Sequence, residues 1–373
     1  SNDTATASPK GPLSAGRYAT AATGNNNFGY FAGGLSPGST YHTTVDRIDY
    51  SNDTATAVAK GSLSLGRTYL RSTSNASFGY FGGGYNPAAV QSRVDRLDYS
   101  NDTANASPKG PLGQEKQTHA ATGNSSFGYF GGGLNAGGSA TSSIFRIDYS
   151  NDTATAAEKG PLSVTKDSLS ATGSGSFGYF AGGSSPDPSR VDRLDYSNDT
   201  ATASPKGPLS VNRSMFAGTS SLENGITDLL LVPASTVREN VAPQGTDFGY
   251  FGGGGSPGPA ISTVGRIDYS NDMATASTRG PLSLARWYLG ATGNSLFGYF
   301  GGGNGGSIST VDRIDYSNDT AAAVAKGPLS LARKYLGATG NSDFGYFAGG
   351  NPSEVSTVDR IDYSNDTATA AVK

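Results

Sequence analysis

The sequence has no cysteine, and among its 373 residues only two are histidine, two methionine and one tryptophan. Without cysteine there are no disulfides and no thiolate metal sites, an absence compatible with any compartment. Catalysis needs unlike reactive residues converging on one point. The two histidines, His42 and His119, have nothing beside them that marks a nucleophile, which argues against an enzyme. No run reaches the roughly 18 apolar residues of a membrane span; the longest apolar cluster is Leu229-Leu-Leu-Val232. The formal net charge is only −3, with both signs interspersed, so there is no electrostatic footprint for nucleic acid. Helix-period runs and strong helix formers are scarce.

What is present is repetition. The motif Phe28-Gly-Tyr-Phe-Ala-Gly-Gly34 recurs with starts at Phe28, Phe78, Phe127, Phe177, Phe248, Phe297 and Phe344. Each copy is followed, after a ragged gap, by a counterpart of Val45-Asp-Arg-Ile-Asp-Tyr-Ser-Asn-Asp-Thr-Ala-Thr56 and then usually by Pro-Leu-Ser. Intervals between starts are 50, 49, 50, 71, 49 and 47 residues, near-constant apart from one insertion. A fixed period of about 20–50 residues marks a solenoid, propeller or array. Turn punctuation every 8–12 residues within the period marks several short strands per unit.

Four strands fit each unit. Strand a is Tyr18-Ala-Thr-Ala-Ala-Thr-Gly24, whose small side chains suit a crowded central axis. Strand b runs from Phe28 to Phe31, with aromatics to fill the space between stacked sheets. Strand c is Thr44-Val-Asp-Arg-Ile-Asp-Tyr50, with both faces mixed, as in a sheet covered on both sides. Ser51-Asn-Asp53 is turn chemistry. Strand d begins at Thr54-Ala-Thr-Ala57 and runs into Val-Ala-Lys60, an outer edge blunted by Lys and, in some copies, by Pro. Four-stranded antiparallel sheets repeated seven times around an axis predict an all-β fold, a seven-bladed β-propeller occupying residues 1–373 as one domain.

The string Tyr30-Phe-Ala-Gly-Gly34, then Val-Asp-Arg-Ile-Asp-Tyr50, then Pro281-Leu-Ser-Leu-Ala-Arg286 resembles the kelch repeat. That family's pattern is an aromatic-apolar strand ending in Gly-Gly, an apolar-Tyr strand, and a Pro-containing turn before Arg. The resemblance spans essentially the whole chain. One departure is that kelch fourth strands usually carry Trp where this chain has Thr and Ala. Copper-oxidase members of that family use a Cys-modified Tyr, which a chain without Cys cannot form. The repeats are also similar to kelch-like structural and tail-fibre proteins of marine bacteriophages, which implies recognition of a host-surface glycan or protein.

Residues 1–14 supply an outer strand and turn with no preceding a, b or c strand, and the chain ends in another such strand from Ser364. The Ser-Asn-Asp element thus occurs eight times for seven blades, and only one terminal copy can complete the last sheet. The surplus copy frays, adds a fifth strand, or pairs with a neighbouring molecule. A chain starting mid-repeat at Ser1 reads as a processed product or as the ordered part of a longer polypeptide. The insertion at 214–247 falls in the a–b connection of the fifth unit and contains Ile226-Thr-Asp-Leu-Leu-Leu-Val-Pro233. Such a segment folds back as an extended hairpin, or docks on a partner or on the rest of a longer chain.

Seven Arg–x–Asp pairs, from Arg47/Asp49 to Arg360/Asp362, share a strand face, which predicts paired positions between blades. The Asp before the Arg is replaced by Phe145 and Gly265 in two units. The Asp-Tyr-Ser-Asn-Asp run lacks the alternating oxygen ligands and Gly of a calcium loop, and no cofactor or metal is expected. Asn-Asp-Thr at Asn52, Asn101, Asn151, Asn198 and Asn318 matches an N-glycosylation acceptor, though the turn explains the same residues. Glu115, Lys116 and His119 occur only in the third unit and read as a drifted turn and strand.

The b–c loops vary most, and variable loops on a rigid scaffold are where recognition resides. In a propeller they emerge on one face beside the d–a loops. Tyr41, His42, Tyr85, Asn86, Gln91 and Asp187 on these loops are the candidate contacts for a protein or cell-surface glycan. The sequence therefore predicts a non-enzymatic binding module, extracellular or on a virion. A structural subunit self-associating through the spare strand or the insertion is the alternative, and a propeller hydrolase or oxidase ranks below both.

Overall fold

Each Phe-Gly-Tyr-Phe motif folds as the second strand of a four-stranded antiparallel sheet, and seven such sheets form a β-propeller. The computed structural model describes residues 8–36, 38–184, 186–220, 248–255, 259–304, 308–351 and 355–365. Blade one consists of Ala21–Gly24 (strand a), Phe28–Ala32 (b), Val45–Asp49 (c) and Val58–Ala59 (d). Strand b of blades two to seven is Phe78–Gly82, Phe127–Gly131, Phe177–Ala181, Phe248–Gly252, Phe297–Gly301 and Phe344–Ala348. Strands b and c pair from Ala32↔Val45 to Phe28↔Asp49, and the other blades repeat this register.

The ring closes with the N-terminal strand. Ser8–Lys10 pairs with strand c of blade seven, Ser8 opposite Arg360 and Lys10 opposite Val358. The competing C-terminal copy, residues 366–373, lies outside the described residues, as do 221–247 of the blade-five insertion.

Two strand boundaries differ from the sequence reading. Strand a starts at Ala21 rather than Tyr18, because Ala19 has a φ of 53°, which interrupts an extended chain. Strand d is only Val58–Ala59, since the segment before it bonds to the turn that follows Ser8–Lys10: Ala57 N donates to Pro12 O at 2.8 Å.

Side-chain packing is organised between blades. The second Phe of each motif is fully buried and abuts the last residue of strand b in the preceding blade. A Cβ on Gly131 would lie 2.7 Å from Phe180 Cε1, which leaves no room for one unless the ring shifts; three other blades carry Ala at this position, Ala32, Ala181 and Ala348. Tyr30 stacks on Tyr99 of the next blade with centroids 5.0 Å apart, and the Tyr99 hydroxyl lies 3.1 Å from Thr23 Oγ1. Stacks of this kind bury large apolar area, and the Tyr149 hydroxyl finds a partner in the same way, 2.7 Å from Thr73 Oγ1.

The Arg–x–Asp pairs are inter-blade, but not with each other. Arg47 Nη1 reaches Asp102, in the c–d turn of blade two, at 2.8 Å. The same carboxylate accepts from Tyr30 Oη at 2.9 Å and pairs with Lys60 at 3.1 Å. Asp49 instead caps its own turn, accepting from Ser51 N at 2.9 Å and Ser51 Oγ at 2.6 Å. The reason is geometric: Asp49 ends strand c, where the chain turns back on itself, whereas Asp102 sits within the groove between sheets. Equivalent clasps centre on Asp53, Asp152, Asp199, Asp272 and Asp319. The seventh position, Asp366, falls outside the described residues.

Candidate functional site

The small side chains of the seven a strands leave an axial channel. At the end formed by the a–b turns it holds a cavity of about 200 Å³ lined by Thr23, Thr73, Thr122, Thr172 and Thr339. At the other end it opens into a cavity of about 420 Å³. That wider mouth lies where the d–a and b–c loops meet, tied by the bridges Tyr18↔Leu35, Thr68↔Tyr85 and Trp287↔Asn304.

A belt of backbone rims the mouth. Ala19, Tyr69, Thr118, Ser168, Met215, Tyr288 and Tyr335, one per blade, all have φ between 53° and 58°. Their peptides link blade to blade: Ala19 N donates to Tyr335 O at 3.1 Å, Tyr335 N to Tyr288 O at 3.1 Å, and Tyr288 N to Met215 O at 2.9 Å. Met215 N to Ser168 O, Ser168 N to Thr118 O and Tyr69 N to Ala19 O continue it. A left-handed conformation costs a non-glycine residue about 1–2 kcal/mol. The sequence contains 54 glycines, yet none stands at these seven places.

The rim has two unlike arcs. Over blades six, seven, one and two it is aromatic. Tyr288 and Tyr335 lie 4.1 Å apart between centroids, Tyr18 lies 6.0 Å from Tyr335, and Trp287 5.7 Å from Tyr288. Tyr69 lines the same cavity from blade two. The other arc carries Thr118, Ser168 and the exposed Met215. Burial raises the Tyr69 hydroxyl above its ordinary range; burial and then a hydrogen bond with Tyr288 raise that of Tyr335. Both phenols are neutral donors at physiological pH.

Below the rim lies Arg71. Its strand-a position is occupied by Ala21, Ala120, Ser170, Ala217, Gly290 and Gly337 in the other blades. Its Nη1 donates to Leu70 O at 3.1 Å, and among the described residues no carboxylate pairs with it. Burial lowers its pKa and the proximity of Tyr69 opposes that shift. A guanidinium facing a cavity, with aromatic faces above it, is suited to hold a planar anionic group such as a carboxylate.

The residues singled out from the sequence distribute unevenly around this mouth. Tyr41 and Tyr85 meet edge to face at 6.0 Å, across the b–c loops of blades one and two. His42 adjoins them, its Nε2 2.8 Å from Ser36 Oγ, and burial lowers its pKa. Asn86 is buried; its Oδ1 accepts from Ala88 N, Ala89 N and Gln91 Nε2, so Asn86 and Gln91 hold their own hairpin. Asp187 belongs to the loop of blade four, where it accepts from Ser189 N and Oγ and pairs with Arg190 at 3.7 Å. His119 takes the place of a core leucine, 5.7 Å from Phe130, and burial holds its pKa well below the ordinary value.

No family model matches the sequence, and no curated protein does. The geometry therefore carries the functional reading. Among the described residues no three His, Asp or Glu side chains form a metal-binding group, and no helix is long and apolar enough to cross a membrane.

The sequence reading did not single out Tyr69, Trp287, Tyr288, Tyr335 and Arg71, because it started strand a at the Tyr18 position and so counted the rim as ordinary strand. The signal was nonetheless present. In an otherwise repeated frame, the residue two places after the buried Arg or Lys changes in most copies, and Arg71 breaks a series of Ala, Gly and Ser.

Proposed function

We propose that the protein is a non-enzymatic recognition module of kelch-like type, carried on an extracellular or virion surface, which binds an acidic glycan at the aromatic channel mouth. The observation that carries this reading is the set of tyrosines held at positive φ around a 420 Å³ cavity with Arg71 beneath them. Strained backbone persists where the surroundings impose it, and it clusters at ligand sites. Sugar rings stack their apolar faces on tyrosine and tryptophan, the phenols donate to hydroxyls, and Arg71 selects a carboxylate-bearing sugar.

Binding to an array of neutral and uronate-bearing glycans tests this. The expected result is retention of acidic members, lost in Tyr335→Ala, with Arg71→Gln removing the preference for the acidic over the neutral form. Absence of any binding, or binding indifferent to both substitutions, refutes it.

A second reading, a self-assembling structural subunit, draws support from the eighth Ser-Asn-Asp copy, whose place in blade seven Ser8–Lys10 fills. Assembly mass by light scattering, with and without residues 366–373, tests that reading.

A further inference from the structure

Five blades carry a buried ion pair inside the sheet. It joins the basic residue after the Pro-Leu-Ser turn to the second residue of strand c. The distances are 2.9 Å for Arg17–Asp46, 2.7 Å for Arg67–Asp95, 3.7 Å for Lys166–Asp192, 2.9 Å for Arg286–Asp312 and 2.7 Å for Arg333–Asp359. All ten side chains are fully buried. The serine of the turn completes the arrangement, as where Ser64 Oγ and Ser163 Oγ each donate to the aspartate at 2.5 Å.

Blades three and five lack the aspartate and respond differently. In blade three, Phe145 fills the space, and Lys116 Nζ donates to Gly132 O, Thr141 Oγ1 and Ser143 Oγ at 2.7–2.9 Å. Burial brings that ammonium down to about 7, so it sheds its charge readily. In blade five the position is Gly265 and the cation is Arg213, also fully buried. Its Nη1 donates to Phe251 O at 2.7 Å and Thr263 O at 3.0 Å. Arg67 and Arg286 likewise donate to the carbonyl of the second motif Phe of their blades, so Arg213 keeps the family pose within the ring.

Among the described residues its Nη2 and Nε have no hydrogen-bond partner, and neither has the buried Oγ of Ser210, the turn serine of this blade. A Cβ built on Gly265 meets Ser210 Oγ and Ala276 Cβ at 3.7 Å and Arg213 Nη2 at 3.9 Å, all ordinary contacts. A side chain can thus start from this position without a clash, and it would meet a cation and a hydroxyl. A guanidinium cannot follow Lys116 in giving up its proton near neutrality, and a buried charge without a counter-charge is strongly disfavoured.

We propose that blade five binds a small monovalent anion, chloride or a short carboxylate such as formate, between Arg213 Nη2, Ser210 Oγ and Gly265, in the place the aspartate carboxylate takes in five sibling blades. The anion supplies in trans the charge that the sequence omits. It ties Arg213 to strand c of its own blade, and it makes the stability of the ring depend on solution composition.

The test is thermal unfolding of the full chain at constant ionic strength, with sodium gluconate, whose anion is too bulky for the space, replaced stepwise by sodium chloride or sodium formate. The expected result is a saturable rise in Tm, about 3.5 °C at a hundredfold excess over the dissociation constant. Gly265→Asp should melt higher than the wild type in gluconate and show no response to either anion. Arg213→Met, which removes the charge without filling the site, should also lose the response. A response to formate but not chloride identifies a carboxylate site, and the reverse a halide site; either supports the proposal. A flat wild-type Tm, or an equal response in Gly265→Asp, overturns it. Chloride-35 line broadening, displaced by formate in the wild type and absent in Gly265→Asp, gives the same decision without reference to stability.

Discussion

Replacing Asp152 by Ala removes one acceptor that serves three donors of the preceding blade: Tyr80 Oη at 2.9 Å, Arg96 Nη1 at 2.8 Å and Lys109 Nζ at 3.3 Å. Asp152 is 6% exposed, while Arg96 and Lys109 keep 24% and 11% of their surfaces in solvent. Breaking a buried pair costs about 3–5 kcal/mol. The partly wet cations place this clasp near the lower end, about 3 kcal/mol. An unfolding entropy of about 2.1 cal/mol/K per residue over the 373-residue chain makes each kcal/mol worth roughly 1.3 °C, so Tm should fall by about 4 °C. Calorimetry on Asp152→Ala, Tyr80→Phe and the double variant measures both the size and the sharing. Tyr80→Phe alone should cost about 1.5 kcal/mol, and the double variant less than the sum, because both changes cut one bond. Asp98→Ala is the control. That residue lies two places from Arg96 but only caps its turn through Ser100, and a lost cap costs about 1 kcal/mol. A drop of less than 1 °C for Asp152→Ala, strict additivity, or an Asp98 effect as large as that of Asp152 would refute the clasp.

Three further outcomes follow from the packing. Burial first, then hydrogen bonding to the clasp aspartate, raises the hydroxyls of Tyr30, Tyr80, Tyr129, Tyr179 and Tyr250 well above the ordinary range. Unfolded tyrosine ionises near pH 10 while the folded chain keeps these protons, so stability is whole below about pH 10. Above it, stability falls by about 1.4 kcal/mol per pH unit per tyrosine. The phenolate absorbance of these five, isolated by Tyr→Phe difference spectra, and loss of the β circular dichroism signal should therefore rise together; titration of these five near pH 10 in a folded chain contradicts this. Gly131→Ala brings its Cβ to 2.7 Å from Phe180 Cε1, so that buried ring must shift, and Gly131→Val should cost more, about 1–3 kcal/mol by overpacking Phe180. Equal denaturation midpoints for the two variants would remove the steric account. Tyr335→Gly relieves a residue at φ 58° and should leave Tm unchanged or raised while abolishing glycan binding; unchanged binding would separate the rim from recognition.

The architecture was legible because the same constraints are written seven times. The Gly-Gly pair after each strand b, the small residues of strand a and the Asp-Tyr-Ser-Asn-Asp turn each recur in register. The partner of Arg47 was not legible. Within a strand, an i,i+2 carboxylate is the nearest candidate, and only the stacking of sheets brings Asp102, from a turn 55 residues away, into reach. The face that carries the candidate site was legible from loop variation, and Tyr41 and Tyr85 do meet there. Tyr288 and Tyr335 were not, since their role depends on the positive φ that ends the strand assignment before them. Closure by Ser8–Lys10 was undecidable from two equivalent terminal strings.

The clasp has a consequence for how such a chain can diversify. Because Asp102 answers to Tyr30, Arg47 and Lys60 of its neighbour, a turn cannot drift alone; its sibling must drift in step, around the whole circle. The segments released from that mutual obligation are those at the channel mouth, where loops differ in length from blade to blade. Uniformity on the one side is what leaves the other free to vary.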